Sequence, residues 1–313
     1  MTDARHWFVI VNPAAGRGLG ARYWTRLSAA LAAAKVPVGA AITTGPGAGR
    51  TLATGAWRAG YRNFLALGGD GSLHDLVNGI ADCGPGALTA STVGIAPCGT
   101  GNDWARGQRM PRSPEAVAAT VAAGITRDHD LGEIRFGTTA GAAPVFFINV
   151  AGAGLDAHAA TYLPRGWPGT LGYPWATLRG LMSFSAPHFS VKADQVDWQG
   201  PRLVVFAAIG SHCGGGMHVA PGADPVDGLA DVVAIDALGL PGVLRRLPKL
   251  FNGRIRDDAA VSTALSRSLR IDAVPPCAVE ADGQVVGTTP VDVVIRPRAI
   301  RVLVPAAPSG SGP

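Results

Sequence analysis

Cysteine is scarce in this 313-residue chain: Cys83, Cys98, Cys213 and Cys277 are the only four. They lie far apart with no CxxC pair and no zinc-ligand spacing, which argues against a disulfide framework or a zinc module and for a reduced cytosolic protein. Charge is scarce too, at 16% against 47% hydrophobic residues, a balance that excludes disorder. No apolar run reaches the length of about 18 residues that a membrane-spanning helix needs. The opening "MTDARHWFVIVNPAAG" breaks its short apolar run at Asn12-Pro13, too soon for a secretory leader. A cytoplasmic protein is expected, soluble or peripheral to the inner face of the membrane. Also absent are the GxGxxG pattern after the first strand, the GxxxxGK[ST] pattern, and any DNA- or RNA-reading motif. Nucleic acid is therefore not an expected partner.

Glycine (43) and proline (24) are plentiful, which favours tight turns and short strands. A net charge of +5 with a pI near 9.3 suits acidic ligands or an anionic membrane surface. The length exceeds what one core usually supports, so two domains are expected. Over residues 1–130, strand-like runs ("WFVIV", "VGAAITT", "NFLALGG", "TVGIAP") alternate with helical ones ("ARYWTRLSAALAAAKV", "AGRTLATGAWRAG", "SLHDLVNGIADC", "PEAVAATVAAG"). Repeated βα units predict an α/β nucleotide-binding domain with a parallel sheet, its ligand beyond the carboxyl ends of the strands. Over 131–305 the texture becomes β-rich: "VFFINVAG", "RLVVFAAIG", "LADVVAID", "SLRIDAV", "CAVEADGQVVG", "VDVVIRP" and "AIRVLVP" predict an antiparallel sandwich or barrel. Residues 306–313 read as a disordered tail.

Three loops carry the chemistry. "GGDGS" (68–72) sets a carboxylate among glycines where a turn needs none, "PCGTGND" (97–103) repeats the pattern, and "NPAAGRG" (12–18) follows the first strand. Glycine N–H groups can cradle phosphate, and nearby carboxylates can organise Mg²⁺ and water.

The ordered set "VNPAAGRG", "LGGDGSLHDLVNGI", "APCGTGNDWAR", "FINVAGAGLDAHA", "APGADPVDGLADVV" and "VEADGQ" resembles the diacylglycerol kinase catalytic-domain family, in particular the small bacterial lipid kinases. The resemblance covers nearly the whole chain. It implies an N-terminal nucleotide domain and a C-terminal lipid domain, with ATP and Mg²⁺ serving phosphorylation of a lipid hydroxyl. Asn12, Thr43, Gly68, Gly69, Asp70, Gly71, Ser72 and Thr100 would lie against the nucleotide. Thr43 is preferred to Thr44 by its spacing from the following helix, and Ser72 stands where the family usually has Thr. Asp103 would join the acid and water network around the metal, or else cap the helix starting near Trp104. In "DPVDGLAD", Asp227 would bind a mainly structural Mg²⁺ through its carboxylate, with carbonyls from Asp224 and Leu229; a type I turn held by Asp227 is the alternative. A second Mg²⁺ would arrive with ATP. Asp282 would be the general base accepting the proton of the lipid hydroxyl, although Asp-Gly also suffices for a hairpin turn. Gln284 stands where the family usually has Glu.

Membrane contact has one candidate with two outcomes. In "GLPGVLRRLPKLFNGRIRDD", Leu240, Val243, Leu244, Leu247, Leu250 and Phe251 recur at helical spacing among Arg245, Arg246 and Lys249. Such a helix either lies in an anionic interface or docks on its own domain. Trp167, Tyr173, Trp175 and Phe184 either line an acyl-chain entrance or pack in a core. The enzyme rival is an NAD kinase, which shares a GGDG loop. A nucleotide- or lipid-binding regulator without turnover is the rival from another class, and a homo-oligomer stays open.

Overall fold

In the computed structural model, residues 6–137, 143–160 and 184–306 are described. The chain divides into two units, Met1–His129 with Ala299–Pro313, and Asp130–Arg298. The first unit starts with β1 (Trp7–Val11), a short turn α1 (Ala15–Gly18) and α2 (Gly20–Ala33). It continues through β2 (Val38–Ile42), α3 (Ala48–Arg58), β3 (Asn63–Gly68), α4 (Asp70–Ala81), β4 (Thr92–Pro97), α5 (Asp103–Gly107) and α6 (Pro114–Ala123) to β5 (Thr126–Phe136), which leads into the second unit. The strands pair in parallel in the order β4-β3-β1-β2. Phe64, Leu65, Leu67, Val93 and Ile95 are fully buried, which is why these strands read as unbroken apolar runs rather than alternating ones.

The second unit holds β6 (Val145–Phe147), β7 (Val150–Gly154), α7 (Leu155–Ala160), β8 (His188–Ala193), β9 (Val196–Ala208), β10 (Ala230–Asp236), α8 (Leu240–Phe251), β11 (Val261–Ser266), β12 (Ser268–Val274), β13 (Ala278–Ala281), β14 (Gln284–Thr288) and β15 (Val291–Leu303). One antiparallel sheet runs β14-β13-β7-β9-β10-β11. A second, β9-β8-β12-β15, shares the long strand β9. The inner residues of both, among them Phe189, Val205, Val232, Ile271 and Val293, form one core with Phe147 of β6. This is the sandwich expected from alternating, turn-punctuated strands. Gly132 makes room for the buried Phe147, because a Cβ there would lie 2.0 Å from the ring.

Two features depart from the sequence expectation. The second domain is expected to run from 131 to 305, and the end of that span pairs instead with the first unit. Residues 299–306 group with the first unit, where Arg301 and Val302 pair in parallel with Thr92 and Val93. The returning chain satisfies backbone groups that β4 would otherwise leave unpaired along its edge. In addition, "VDVVIRP" and "AIRVLVP" form the single strand β15, and the polar strands β5, β8 and β11 were not expected. Trp167, Tyr173 and Trp175, together with tail residues 307–313, lie outside the described residues.

Candidate active site

In the first unit β1, β3 and β4 are adjacent and parallel, so the segments leaving their carboxyl ends converge. Asn12 follows β1. Its N–H donates to Leu67 O (3.0 Å), its Oδ1 accepts from Ala14 N (3.1 Å), and its Nδ2 donates to Ser72 Oγ (3.4 Å). The 68–72 and 97–103 loops touch backbone to backbone. Cys98 N and Gly99 N both donate to Gly68 O, at 2.8 and 3.1 Å. A Cβ on Gly99 would lie 2.6 Å from Gly69 Cα, and one on Gly68 2.1 Å from Ser72 Oγ. Gly16, at φ +59°, brings the 12–18 loop into the same cluster, where a Cβ would lie 2.4 Å from Cys98 O. Glycine is required here because backbone packs on backbone.

Asp70 ties two of these loops together. Its Oδ2 accepts from Asp103 N and its Oδ1 from Trp104 N, both at 3.1 Å, so it caps α5 from another segment of chain. Of the two roles open to Asp103, capping therefore falls to Asp70 instead. Asp103 is the buried first residue of α5, with Arg106 Nε 3.9 Å from its Oδ1. The carboxylates of Asp70 and Asp103 meet over Gly101, whose Cβ would lie 3.2 and 3.4 Å from them. Trp104 anchors α5 in the core by donating from Nε1 to Nε2 of the fully buried His129 (3.2 Å). Thr43 N donates to Val11 O (2.9 Å) at the end of β2, and Thr100 is exposed at the tip of its loop. His74 is packed inside α4, with Asn78 Nδ2 donating to its carbonyl (3.0 Å).

In the second unit Asp282 occupies the turn between β13 and β14. Asp282 and Gly283 take φ +51° and +81° in succession, the geometry of a type I′ hairpin turn. The side chain does more than the turn needs. Oδ2 accepts from Ile148 N (3.1 Å), Oδ1 from Asn149 N (2.9 Å), and the Asp282 N–H donates to Val150 O (2.9 Å). A 5%-exposed carboxylate is thus fixed against the β6–β7 link. Asn149 Nδ2 in turn donates to His212 O (2.8 Å). Glu280, which sequence reasoning passed over, lies two residues before Asp282 and is buried. Burial, then the neighbouring Asp156 and Asp282, hold its carboxyl well above the usual range. The signal was present: Glu280 is the one charged residue in the apolar run "CAVEA".

The "DPVDGLAD" loop uses its acids locally. Asp224 Oδ1 accepts from Val226 N (3.2 Å) and Asp227 Oδ1 from Leu229 N (2.9 Å), both on exposed residues. Behind them Asp130, fully buried, accepts from Gly228 N and Arg298 N, each at 2.7 Å. Burial raises its pKa, and the charges of Asp227 and Asp224 raise it further. Burial likewise raises Asp231, opposed by Arg256 and assisted by Asp227. Among the described residues no group of three His, Cys, Asp or Glu side chains could hold a metal. What fits a hard cation is the all-oxygen donor set and the mutual repulsion that a cation would relieve, so a site here would rest on Asp227 and backbone carbonyls.

Of the two outcomes open to the basic helix, α8 makes contacts with its own domain. Arg246 Nε and Lys249 Nζ each donate to a different oxygen of the buried Asp258 (2.7 Å each), and Ala260 N adds a third bond (3.0 Å). Val243 and Leu250 pack against the unit's own core together with Phe184. Two of the three cations thus fasten the helix to its own domain, leaving Arg245 exposed beside Leu244 (55% exposed) and Phe251 (56%). Among the described residues no helix is long and apolar enough to cross a membrane.

Residues 6–134 match the diacylglycerol kinase catalytic domain, and residues 149–304 match the YegS C-terminal NAD kinase beta sandwich-like domain. A diacylglycerol kinase of Bacillus subtilis (strain 168) is 25% identical over 301 residues, covering 95% of each chain. The crystal structure of a diacylglycerol kinase from Bacillus anthracis str. Sterne superposes with a TM-score of 0.74 at 18% identity over 99% of both chains. Yeast NADH kinase is more distant in fold, at a TM-score of 0.52 and 10% identity over 97% of this chain and 84% of that one.

Proposed function

The chain belongs to the diacylglycerol kinase catalytic-domain family, and from that premise we propose that it is an ATP-dependent, Mg²⁺-requiring kinase phosphorylating a hydroxyl of diacylglycerol or a similar lipid. The observation that carries this reading is the convergence of the 12–18, 68–72 and 97–103 loops at the carboxyl ends of β1, β3 and β4, with Asp70 and Asp103 meeting over Gly101.

In this reading Asn12, Thr43, Gly68 through Ser72 and Thr100 receive the nucleotide. The backbone contacts among the loops hold them in shape before the ligand arrives, which suits a reaction catalysed mostly by positioning and charge neutralisation. Mg²⁺ bound with ATP would neutralise developing phosphate charge, and Asp70 and Asp103 are the acids for its surrounding water. Asp227, with the carbonyls of Asp224 and Leu229, would hold a structural Mg²⁺. Asp282 accepts the hydroxyl proton as the lipid oxygen forms its bond to the γ-phosphorus; the bond from that phosphorus to the β–γ bridging oxygen breaks and ADP leaves. The two backbone N–H groups aim the carboxylate. Leu244, Phe251 and Arg245 on α8 are the candidates for contact with an anionic membrane.

The likeness to NADH kinase concerns fold alone and does not favour a dinucleotide acceptor. The deciding experiment offers ATP and Mg²⁺ with a panel of dispersed lipids, with NAD, and with no acceptor, and identifies the product by mass spectrometry. Phosphorylated lipid is expected. Phosphorylated NAD, or no phosphorylated product at all, would refute the proposal.

A further inference from the structure

We infer that Asn149 is a positioning residue for phosphoryl transfer: its side-chain amide ties the β6–β7 link, whose N–H groups aim Asp282, to the turn that follows β9. This rests on the reading of Asp282 as the group facing the lipid hydroxyl.

The link is Ile148-Asn149, between the end of β6 at Phe147 and the start of β7 at Val150. Both of its N–H groups go to one carboxylate, Ile148 N to Asp282 Oδ2 (3.1 Å) and Asn149 N to Oδ1 (2.9 Å). The link is therefore held in place from its other side. The Asn149 carbonyl accepts from Ile209 N and Gly210 N (2.9 Å each), continuing the β7–β9 ladder past the Val150–Ala208 pair. Asn149 Nδ2 then donates to His212 O (2.8 Å). Asn149 is buried, so this bond is made away from water, where an unmatched carbonyl is costly.

The carbonyl of His212 is a fixed anchor. Cys213 and Met217 exchange N–H···O bonds of 2.9 Å in both directions, closing a turn over Gly214, Gly215 and Gly216, whose φ values are +60°, +83° and +111°. The His212 ring stacks on that of His218, with centroids 4.3 Å and planes 5° apart, and His218 N donates to Leu250 O of α8 (2.6 Å). Cys213, Val219 and Ala220 are buried in the core that also holds Val204 of β9 and Val233 of β10. The group facing His212 O must donate, and an ionised Asp of nearly the same shape has only acceptors. Gly210 supplies an independent sign. It does not take a positive φ, so a turn does not account for it, whereas a Cβ there would lie 2.0 Å from Asn149 Oδ1. The glycine makes the room that the amide occupies.

Without the amide the link keeps its bonds to the end of β9 but loses its hold on the 211–218 turn. Its two donors set the direction of the Asp282 carboxylate, so any shift in the link passes to that group. A misplacement of about 1 Å at a reacting group costs about 10²-fold in rate.

The test is steady-state phosphate transfer to dispersed lipid by N149A, G210A and D282N, singly and in pairs. N149A should lower kcat at least about tenfold with KM for ATP unchanged. G210A pushes the amide off His212 O and should do the same, which keeps the test available where N149A proves unstable. In the N149A background G210A should cost under about twofold more, since the oxygen it would strike is gone. N149A should also cost under about twofold in the D282N background, because no proton acceptor remains to be aimed. A cost as large in D282N as in the wild type, or an N149A variant with wild-type kcat, overturns the positioning role. Hydrogen exchange of the ligand-free protein reads the tie without activity. N149A should lose protection at the amides of Ile148 and Gly210 while those of Val205 and Ala207 in β9 keep theirs; unchanged exchange at Ile148 and Gly210 overturns the tie. A protein that phosphorylates no lipid refutes the reading of Asp282 and with it the positioning role, while exchange still decides whether the amide holds the link.

Discussion

Replacing Asp70 by Asn should weaken the fold of the first unit before any nucleotide is bound. A glycine-rich turn around a catalytic carboxylate would tolerate this change, since its shape would come from the glycines. The structure gives the carboxylate a second task, because its two oxygens accept Asp103 N and Trp104 N at 3.1 Å each. Asn keeps one acceptor and turns an NH₂ group toward the other N–H, so one charge-assisted bond is lost and two donors face each other. Such a loss costs about 1.5–3 kcal/mol, and removing negative charge from the start of α5 adds about 0.3–1 kcal/mol. A total of about 2–4 kcal/mol lowers Tm by roughly 6–12 °C for a unit of this size. Differential scanning calorimetry of the ligand-free protein measures the shift. Hydrogen exchange should locate it, with protection lost at the amides of Asp103 and Trp104. An unchanged ligand-free Tm, with exchange at these amides also unchanged, would refute the structural role and return Asp70 to work on the bound nucleotide alone.

The clamp on α8 makes a second case. D258A removes the common partner of Arg246 and Lys249 and should destabilise the second unit by about 2–3 kcal/mol, read from urea unfolding. Its hydrogen bond to Lys249, then those to Ala260 N and Arg246, hold the Asp258 carboxyl well below the usual carboxylate range. The contribution is therefore fully present above the ordinary Asp pKa of about 3.9 and is lost as pH falls toward the lower, folded-state value. The stability gap between wild type and D258A should narrow on acidification; a gap that widens would be inconsistent with the clamp. On the exposed side of the same helix, R245Q should weaken binding to anionic vesicles by about 1 kcal/mol. L244S and F251S should weaken it further, with activity on a short-chain dispersed substrate retained. Vesicle binding equal to wild type in all three would assign the patch no membrane role.

The sheet of the first unit was legible because its central strands are buried on both faces, so "NFLALGG" and "TVGIAP" stand out as apolar runs. The loops were legible because glycine clusters beside acids have few other uses. The polar strands β8 (HFSVKA) and β11 (VSTALS) were not, because a half-exposed strand carries a weaker signal. Nor could the return of residues 299–303 to β4 be read, since partner choice is a property of the open edge elsewhere in the chain and not of "AIRVLVP" itself. The site divided in the same way. The 12–18, 68–72 and 97–103 loops touch in the first unit, but local patterns could not reveal that Asp70 reaches the start of α5, that Asp258 claims two cations of α8, or that Glu280 accepts from Gly283 N. Each of those contacts joins groups whose types are individually unremarkable.

The most direct test is steady-state transfer of phosphate from ATP to dispersed diacylglycerol by wild type and D282N. Asn cannot take the hydroxyl proton, a function worth about 10² to 10⁴ in rate. It also forfeits one of the bonds to Ile148 and Asn149, so some loss of Tm is expected and activity must be measured well below the melting transition. The prediction is a kcat at least about a hundredfold below wild type, with KM for ATP little changed. A D282N protein that keeps most of its kcat would show that Asp282 only shapes a hairpin, and would contradict the assignment of the proton acceptor.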